Sequence, residues 1–285
     1  LFPQPRRFLA ALHERGMHVT LNLHPAGGVE PHEEAYAAMC AALGRNPESR
    51  QHIDFDAADE AFWRAYFKCL HHPLEAEGVD FWWIDWQQGT QSAVKGLDPL
   101  WVLNEKHYRD SRRNGKRGLI LSRYAGPGSH RTPLGFSGDT LMTWASLDFQ
   151  PAFTAMAANA GYPWWSHDIG GHMQGIRSDE MSVRWVQLGV FSPIMRLHSG
   201  KLRFAGKEPW SYGGEAEAVM KAYLRLRHRL IPYLYSAAER THRLGEALVR
   251  PLYHCWPERE EAYQARNQYL FGPSLMVCPI TTPMN

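Results

Sequence analysis

At 285 residues with 44% hydrophobic side chains, the chain is long enough for a barrel or a doubly wound sheet around a sizeable core. Its 31 basic and 29 acidic residues are spread evenly to a formal net charge of +2, so no basic stripe is available to track a phosphate backbone, which argues against nucleic acid. No run approaches the roughly 20 apolar residues of a membrane span, and Cys40, Cys69, Cys255 and Cys278 are too scattered for a disulfide framework or a zinc ribbon, which fits a reducing, cytoplasmic compartment. The 11 Trp, 12 Tyr and 12 Phe exceed what such a core needs, and the excess lies beside polar residues, a pattern of binding surfaces.

Phe2, Phe8, Leu9 and Leu12 are already on helical spacing, so the chain opens inside a working element and reads as a piece of a longer protein, with an export signal left open. Residues 8–15 pattern as an amphipathic helix stopped by Gly16, and residues 18–23 alternate like a strand ending at His24 and Pro25. So short a joint between helix and strand belongs to an α/β repeat. A glycine-containing loop follows at 26–31. Helical patterns come next at 33–43 and 59–74, the second with Phe62, Tyr66, Phe67 and Leu70 on one face and Gly78 beyond its end. His71 and His72 are expected on the exposed end of that helix. Phe81, Trp82, Trp83 and Ile84 form an aromatic and β-branched run suited to a strand buried on both faces, with Asp85 at its end.

Residues 106–113 are polar and basic and stop at Asn114 and Gly115, and residues 118–122 form the next apolar strand, followed directly by Arg123. The segment 126–140 is too rich in glycine and proline for a helix, and its last residues suit a short strand ending at Asp139. Asp148 is placed to cap a helix running through Ala160 and closed by Gly161. Residues 163–167 form a short strand before Asp168, 179–189 a helix, and 191–197 a strand before His198. Residues 215–244 have the spacing of one long helix or two, with Pro232 as a kink and Gly245 as the stop. Beyond them, 247–253 and 275–280 are strand-like with no helix expected between them, so a β-rich second domain is expected to start near residue 247.

Strand-like segments separated by helices suggest an α/β fold, part of a (β/α)8 TIM barrel, whose active sites sit at the carboxyl ends of the strands. Asp85, Arg123, Asp139, Asp168 and His198 all fall at such ends and define one face. A carboxylate is costly to bury without partners, and Trp83, Trp86, Gln87 and Gln88 beside Asp85 are side chains that stack on and hydrogen-bond to a polar ring. Two carboxylates flanking a sugar are the minimum apparatus of most glycoside hydrolases. Asp85 and Asp139 are the candidates, while Asp168 and His198 could bind hydroxyls and Arg123 could hold one carboxylate ionised.

These residues resemble motifs of glycoside hydrolase family 31, the α-glucosidase and α-xylosidase family, over nearly the whole length. Trp83-Ile84-Asp85 is similar to the family's nucleophile motif and Ser137-Gly138-Asp139 to its acid/base motif, with Arg123 in the place of a substrate-site arginine. His167-Asp168-Ile169-Gly170-Gly171 resembles its third aspartate motif and Arg196-Leu197-His198 its strand-eight histidine motif. Arg250-Pro251-Leu252 and the stretch from Gln268 to Pro279 resemble the start of its carboxyl-terminal β-domain. The resemblance implies a barrel incomplete at its amino terminus, with strands three to eight present over residues 1–246, followed by the start of a β-sandwich domain at 247–285. With two strands absent the barrel would have exposed edges, so this stretch alone is not expected to be a stable, active enzyme.

The resemblance further implies a retaining, exo-acting α-glycosidase for an α-glucoside or related α-hexoside, acting on an oligosaccharide or glycoside without cofactor. Asp85 and Asp139 would be catalytic, and Trp83, Trp86, Gln87, Arg123, Phe136, Asp168 and His198 would contact substrate. Retention requires the two carboxyl groups about 5 to 5.5 Å apart. Gln87 and Gln88 depart from the Asn-Glu common in the family, as does Trp86 from its usual methionine or phenylalanine, and α-xyloside, α-galactoside or α-N-acetylgalactosaminide substrates stay open. So does a homo-oligomer.

Two rivals come from other classes. A metal-dependent hydrolase would draw ligands from His24, His32, His167, His172 and His198, but these lack the close pairing of helical zinc motifs, and a retaining mechanism needs no metal. A non-catalytic sugar-binding protein is separated by Asp85→Asn and Asp139→Asn, since a lectin has no hydrolysis to lose. Residues 124–128 lack the Lys-Ser/Thr partner of a phosphate loop and read as a substrate loop.

Overall fold

A computed structural model describes residues 2–284, with Leu1 and Asn285 outside the described residues. The chain divides into two compact units, Leu1–Leu134 and Gly135–Asn285, a division that falls inside the stretch expected to be barrel.

In the first unit, parallel strands alternate with helices. Helix α1, Pro5–His13, begins with proline at its first turn, where the missing N–H costs nothing. Strand β1, Thr20–Leu23, is followed by α2, Tyr36–Leu43, and by α3, Glu60–Tyr66, which Asp59 caps by accepting the Ala61 N–H at 2.7 Å. A π-helical stretch, Phe67–His71, leads into α4, His72–Glu77. Strand β2, Phe81–Ile84, pairs in parallel with β1, Leu23 opposite Ile84. Helix α5, Pro99–Ser111, then leads to β3, Ile120–Ser122, which pairs in parallel with β2, Ile84 opposite Ser122. The core of this unit gathers Met39, Ile53, Trp63, Tyr66, Ile84, Leu103 and Ile120.

Three expectations change here. Strand β2 is not buried on both faces: Trp82 and Ile84 are buried while Phe81 and Trp83 are half-buried, as expected when successive side chains alternate between faces. Helix α5 starts at Pro99 and not near Lys106, because Asp98 accepts the Leu100 N–H at 2.8 Å and Pro99 occupies the first position. His71 is buried, its ring 4.1 Å from that of Trp82 and 4.4 Å from that of Tyr66. The wide π turn shifts the residues that follow around the helix axis, which a 3.6-residue period does not foresee.

In the second unit, β4, Gly135–Phe136, is followed by β5, Leu141–Met142, and α6, Trp144–Asn159. Strand β6, Trp165–Ser166, pairs in parallel with β4, and β7, Met173–Gly175, pairs in parallel with β5. Gly135 permits the approach of Tyr162, since a Cβ there would lie 1.8 Å from its ring. Helices α7, Asp179–Val190, α8, Gly214–Arg229, and α9, Ile231–Leu244, follow, with Gly245 left-handed after the last. The helical stretch is therefore two helices, parted at Leu230. Strand β8, Val249–Pro251, helix α10, Glu260–Gln264, and strands β9, Tyr269–Phe271, and β10, Leu275–Val277, complete the unit as a three-stranded antiparallel sheet in the order β10-β9-β8. Helix α10 corrects the expectation that no helix separates those strands.

Two more corrections fall in this unit. Thr143, not Asp148, caps α6 by accepting the Ser146 N–H at 3.1 Å, and Asp148 inside the helix instead accepts the Thr281 hydroxyl. The expected strand 191–197 is reduced to two parallel bridges, Ser166 with Ile194 and Ile169 with Leu197. Pro193 has no N–H to offer, and the Arg227 guanidinium takes the carbonyls of Val190, Ser192 and Pro193, each at 2.7 Å.

Candidate active site

Asp85 leaves the end of β2 in register, its N–H donating to the Leu23 carbonyl at 2.9 Å, and its side chain is almost fully buried. Such a carboxylate needs partners. Arg123, one residue past β3, donates Nε–H to Asp85 Oδ1 at 2.6 Å, and Gln87 donates its amide to the same oxygen at 3.1 Å. His24, just past β1, brings Nε2 within 3.9 Å of Oδ2. Buried Asn104 on α5 fixes the strand end that delivers Arg123, accepting the Ser122 hydroxyl at 2.5 Å and donating to the Arg123 carbonyl at 3.3 Å.

Trp83 stands half-buried in the middle of the paired strands, opposite Asn22 and Leu121. Trp86 has a different fate from the sugar-stacking role expected of it. It is buried in the first unit's core, its ring 5.3 Å from Phe55 and its N–H donated to the Gly89 carbonyl at 2.7 Å. A tryptophan so enclosed supports the loop after Asp85 and has little face left for a ligand.

In the second unit the centre is Asp168, which is fully buried just beyond β6. Oδ1 accepts from Arg196 at 2.6 Å and Oδ2 accepts the Thr140 N–H at 3.0 Å, so this carboxylate holds the backbone next to Asp139. Arg196 also donates to the Ser166 hydroxyl at 3.0 Å and the Ser137 carbonyl at 3.2 Å, and its guanidinium carbon lies 5.2 Å from the centre of the Phe136 ring. Asp139, half-buried, has Oδ1 3.9 Å from His172 Nε2, and the His172 ring stacks on His198 at 4.4 Å. Asp85, Gln87 and Arg123 are thus one constellation, and Phe136, Asp139, Asp168 and His198 are another, organised by Arg196.

The family model described as "Glycosyl hydrolases family 31 TIM-barrel domain" matches residues 1–237, and that described as "Glycosyl hydrolase family 31 C-terminal domain" matches residues 245–285. The chain belongs to glycosyl hydrolase family 31. It is 29% identical over 312 residues to an alpha-xylosidase of Saccharolobus solfataricus, covering 99% of this chain and 41% of that protein. It is 30% identical over 184 residues to alpha-glucosidase 2 of Bacillus thermoamyloliquefaciens, covering 64% of this chain and 23% of that protein. The crystal structure of a family 31 alpha-xylosidase from Xanthomonas citri superposes with a TM-score of 0.83 at 26% identity, covering 98% of this chain and 35% of that one. The chain therefore spans less than half the length of these relatives.

Within this family 31 domain the histidines weighed as metal ligands have other surroundings. His167 is fully buried against the Thr154 hydroxyl, and burial, then the Arg196 charge, pushes it down to about 3. Burial, then Arg196, likewise lowers His198 to about 4, so it is a neutral imidazole at neutral pH, able to donate to or accept from a hydroxyl. His24 is exposed at Asp85, and His32 is exposed as well. Among the described residues, Asp139, Asp168 and His172 bring ligand atoms within 4.8 Å of one another, a spacing a divalent cation could bridge, though Asp168 already serves Arg196 and Thr140.

Arg196, quoted only as part of a motif, and Asn104 are the supporting residues to which the sequence pattern assigned no role. Arg196 was visible two positions before His198. Asn104 had a subtler signal, a lone amide on the stripe of α5 that buries Leu100, Leu103 and His107.

Proposed function

We propose that this family 31 domain carries the catalytic centre of a retaining, exo-acting α-glycosidase, with Asp85 as nucleophile and Asp139 as acid/base. The observation that carries the reading is the hydrogen bonding of Asp85: both side-chain bonds fall on Oδ1, which orients Oδ2 as the attacking atom. Oδ2 bonds to the anomeric carbon while Asp139 protonates the glycosidic oxygen and the alcohol departs. Water, deprotonated by Asp139, then breaks the glycosyl–Asp85 bond and restores the α-configuration. Neutral His198 suits a hydroxyl of the sugar, and Gln87 and Gln88 suit the ring substituents or the first leaving-group subsite.

The substrate of this reading is a terminal α-glucoside or related α-hexoside. An α-xyloside is the second reading, favoured because the alpha-xylosidases of Saccharolobus solfataricus and Xanthomonas citri align over 99% and 98% of the chain. A panel of aryl α-glucosides and α-xylosides on the full protein, followed by proton NMR, tests both. Retention produces the α-anomer first; a β-anomer as first product, or hydrolysis of neither series, overturns the proposal.

A further inference from the structure

Lys207 is a buried lysine that the reaction above does not use. Its stem lies across Gly170, where a Cβ would come within 2.5 Å of both Cδ and Cε, so the turn after Asp168 and this side chain occupy one close-packed layer. Gly171 packs on Met142 in the same way, a Cβ there meeting Met142 Cα at 2.8 Å. Both glycines have positive φ, 95° and 79°, so an L side chain at either position would be strained as well as blocked. The Lys207 ammonium donates to the Ala205 carbonyl at 2.5 Å and reaches the Met142 sulfur at 3.2 Å. It thus touches three segments at once: the strand that follows Asp139, the turn that follows Asp168, and the loop 203–209.

The first two of these segments are already joined by hydrogen bonds. The His172 N–H donates to the Thr140 carbonyl at 2.6 Å, the Gly171 N–H to the Asp168 carbonyl at 2.8 Å, and Asp168 takes the Thr140 N–H. Arg177 fastens the far side of the loop, donating to the carbonyls of Phe204 at 3.0 Å and Ser211 at 2.6 Å while stacking 4.2 Å over Tyr212. Among the described residues, no carboxylate lies within ion-pairing distance of the Lys207 ammonium. A buried charge retained without a paired carboxylate calls for a reason.

We propose that Lys207 is a positioning residue for the acid/base arm: by filling the space over Gly170 and tying Met142 to the loop 203–209, it keeps Asp168 on the Thr140 N–H and Asp139 at its working place. The assignment of the proton-transfer step rests on the function proposed above. Burial, then the charge of Arg177, lowers Lys207 to about 8 against the opposing pull of Glu208 and Asp168, so the ammonium is about half deprotonated near pH 8. Of the charged groups facing it, Arg177 opposes the ammonium, while Glu208 and Asp168 favour it.

The test uses Lys207→Met in the full protein, which keeps a long side chain but removes the charge and its hydrogen bonds. Alkyl α-glycosides need a proton donated to the leaving oxygen, whereas an α-glycosyl fluoride departs with little help. A positioning role predicts that kcat/KM falls about 10-fold or more on the alkyl glycoside but within about 2-fold on the fluoride, with Lys207→Arg recovering part of the loss. Equal losses on both substrates, or none, overturn it. Amide hydrogen exchange decides the structural half without reference to activity. Exchange should quicken about 10-fold at 139–142 and 168–172 while the α8 amides keep their rates, and unchanged exchange overturns the proposal. A wild-type protein inert on both substrates would refute the proposed function and leave the exchange result to judge Lys207.

Discussion

Asp85 is gripped at its own carboxylate, with Oδ1 accepting from Arg123 and Gln87, and beside Asp139 the structure grips the backbone on both sides. There Asp168 takes the Thr140 N–H and Arg196 takes the Ser137 carbonyl, on either side of the aspartate in sequence. Each of these holds suits the role proposed for its aspartate. A nucleophile must aim one oxygen along one line, so direct bonds to the other oxygen are useful. A proton carrier acts first as acid and then as base toward different oxygens, so a backbone fixed on both sides of it is useful.

The sharpest way to break the comparison is at Asp85. Asp85→Ala is expected to lower kcat on the order of 10⁴-fold or more, with part of the activity recovered by added azide, which replaces the missing carboxylate. Turnover near that of the wild type would remove Asp85 from the nucleophile's role.

The grip on the other arm is tested at Arg196. Arg196→Met leaves the fully buried Asp168 without its cation, and breaking such a pair costs about 3–5 kcal/mol. Urea unfolding should register this loss, and adding Asp168→Asn should return a good part of it. Strictly additive losses in that double-mutant cycle would show that the two residues do not act as a unit.

A third prediction compares the two units by pH. His107 in the first unit is held to about 4 by burial, and His167 in the second to about 3 by burial and then Arg196, against an ordinary value of 6.5. Because the folded values lie below the unfolded one, the unfolded chain takes up protons first as pH falls. Stability is therefore whole above about pH 6.5 and declines toward pH 4 by about 1.4 kcal/mol per pH unit for each histidine. His107→Gln, which can still donate to the Leu103 carbonyl, should flatten the decline measured in the first unit by hydrogen exchange and leave the second unit's unchanged. The same slope in wild type and variant would show that His107 binds its proton equally in the folded and unfolded states.

The smallest effect is expected at Gln87. Its hydrogen bond to the charged Asp85 Oδ1 is worth about 1.5 kcal/mol, so Gln87→Ala should slow kcat about 10-fold on aryl α-glycosides. Equal rates would mean that Arg123 alone aims the nucleophile.

Much of this was legible in the residue pattern, and the misses have physical causes. Strands β1, β2 and β3 were found because short apolar runs bounded by Gly, Pro and Asp are local signals. The start of α5 was missed because a cap at Asp98 with Pro99 looked like loop, and His71 was misplaced because a π turn broke the helical period. Residues 191–197 read as a strand, yet Arg227, more than thirty positions away, claims the carbonyls around Pro193 that a neighbouring strand would have used. Trp86 looked like a sugar platform beside Asp85 and proved to be core.

The sequence by itself determined the alternation of helix and strand and the placing of Asp85, Arg123, Asp168 and His198 just past apolar runs, because periodicity and chain punctuation act over a few neighbouring residues. Only the tertiary structure decided the partnerships. Arg123 reaches Asp85 across 38 positions and Arg196 reaches Asp168 across 28, and nothing within either local stretch names its partner. A buried carboxylate requires a donor, but which donor arrives is settled by how the strands pair and which helices pack between them.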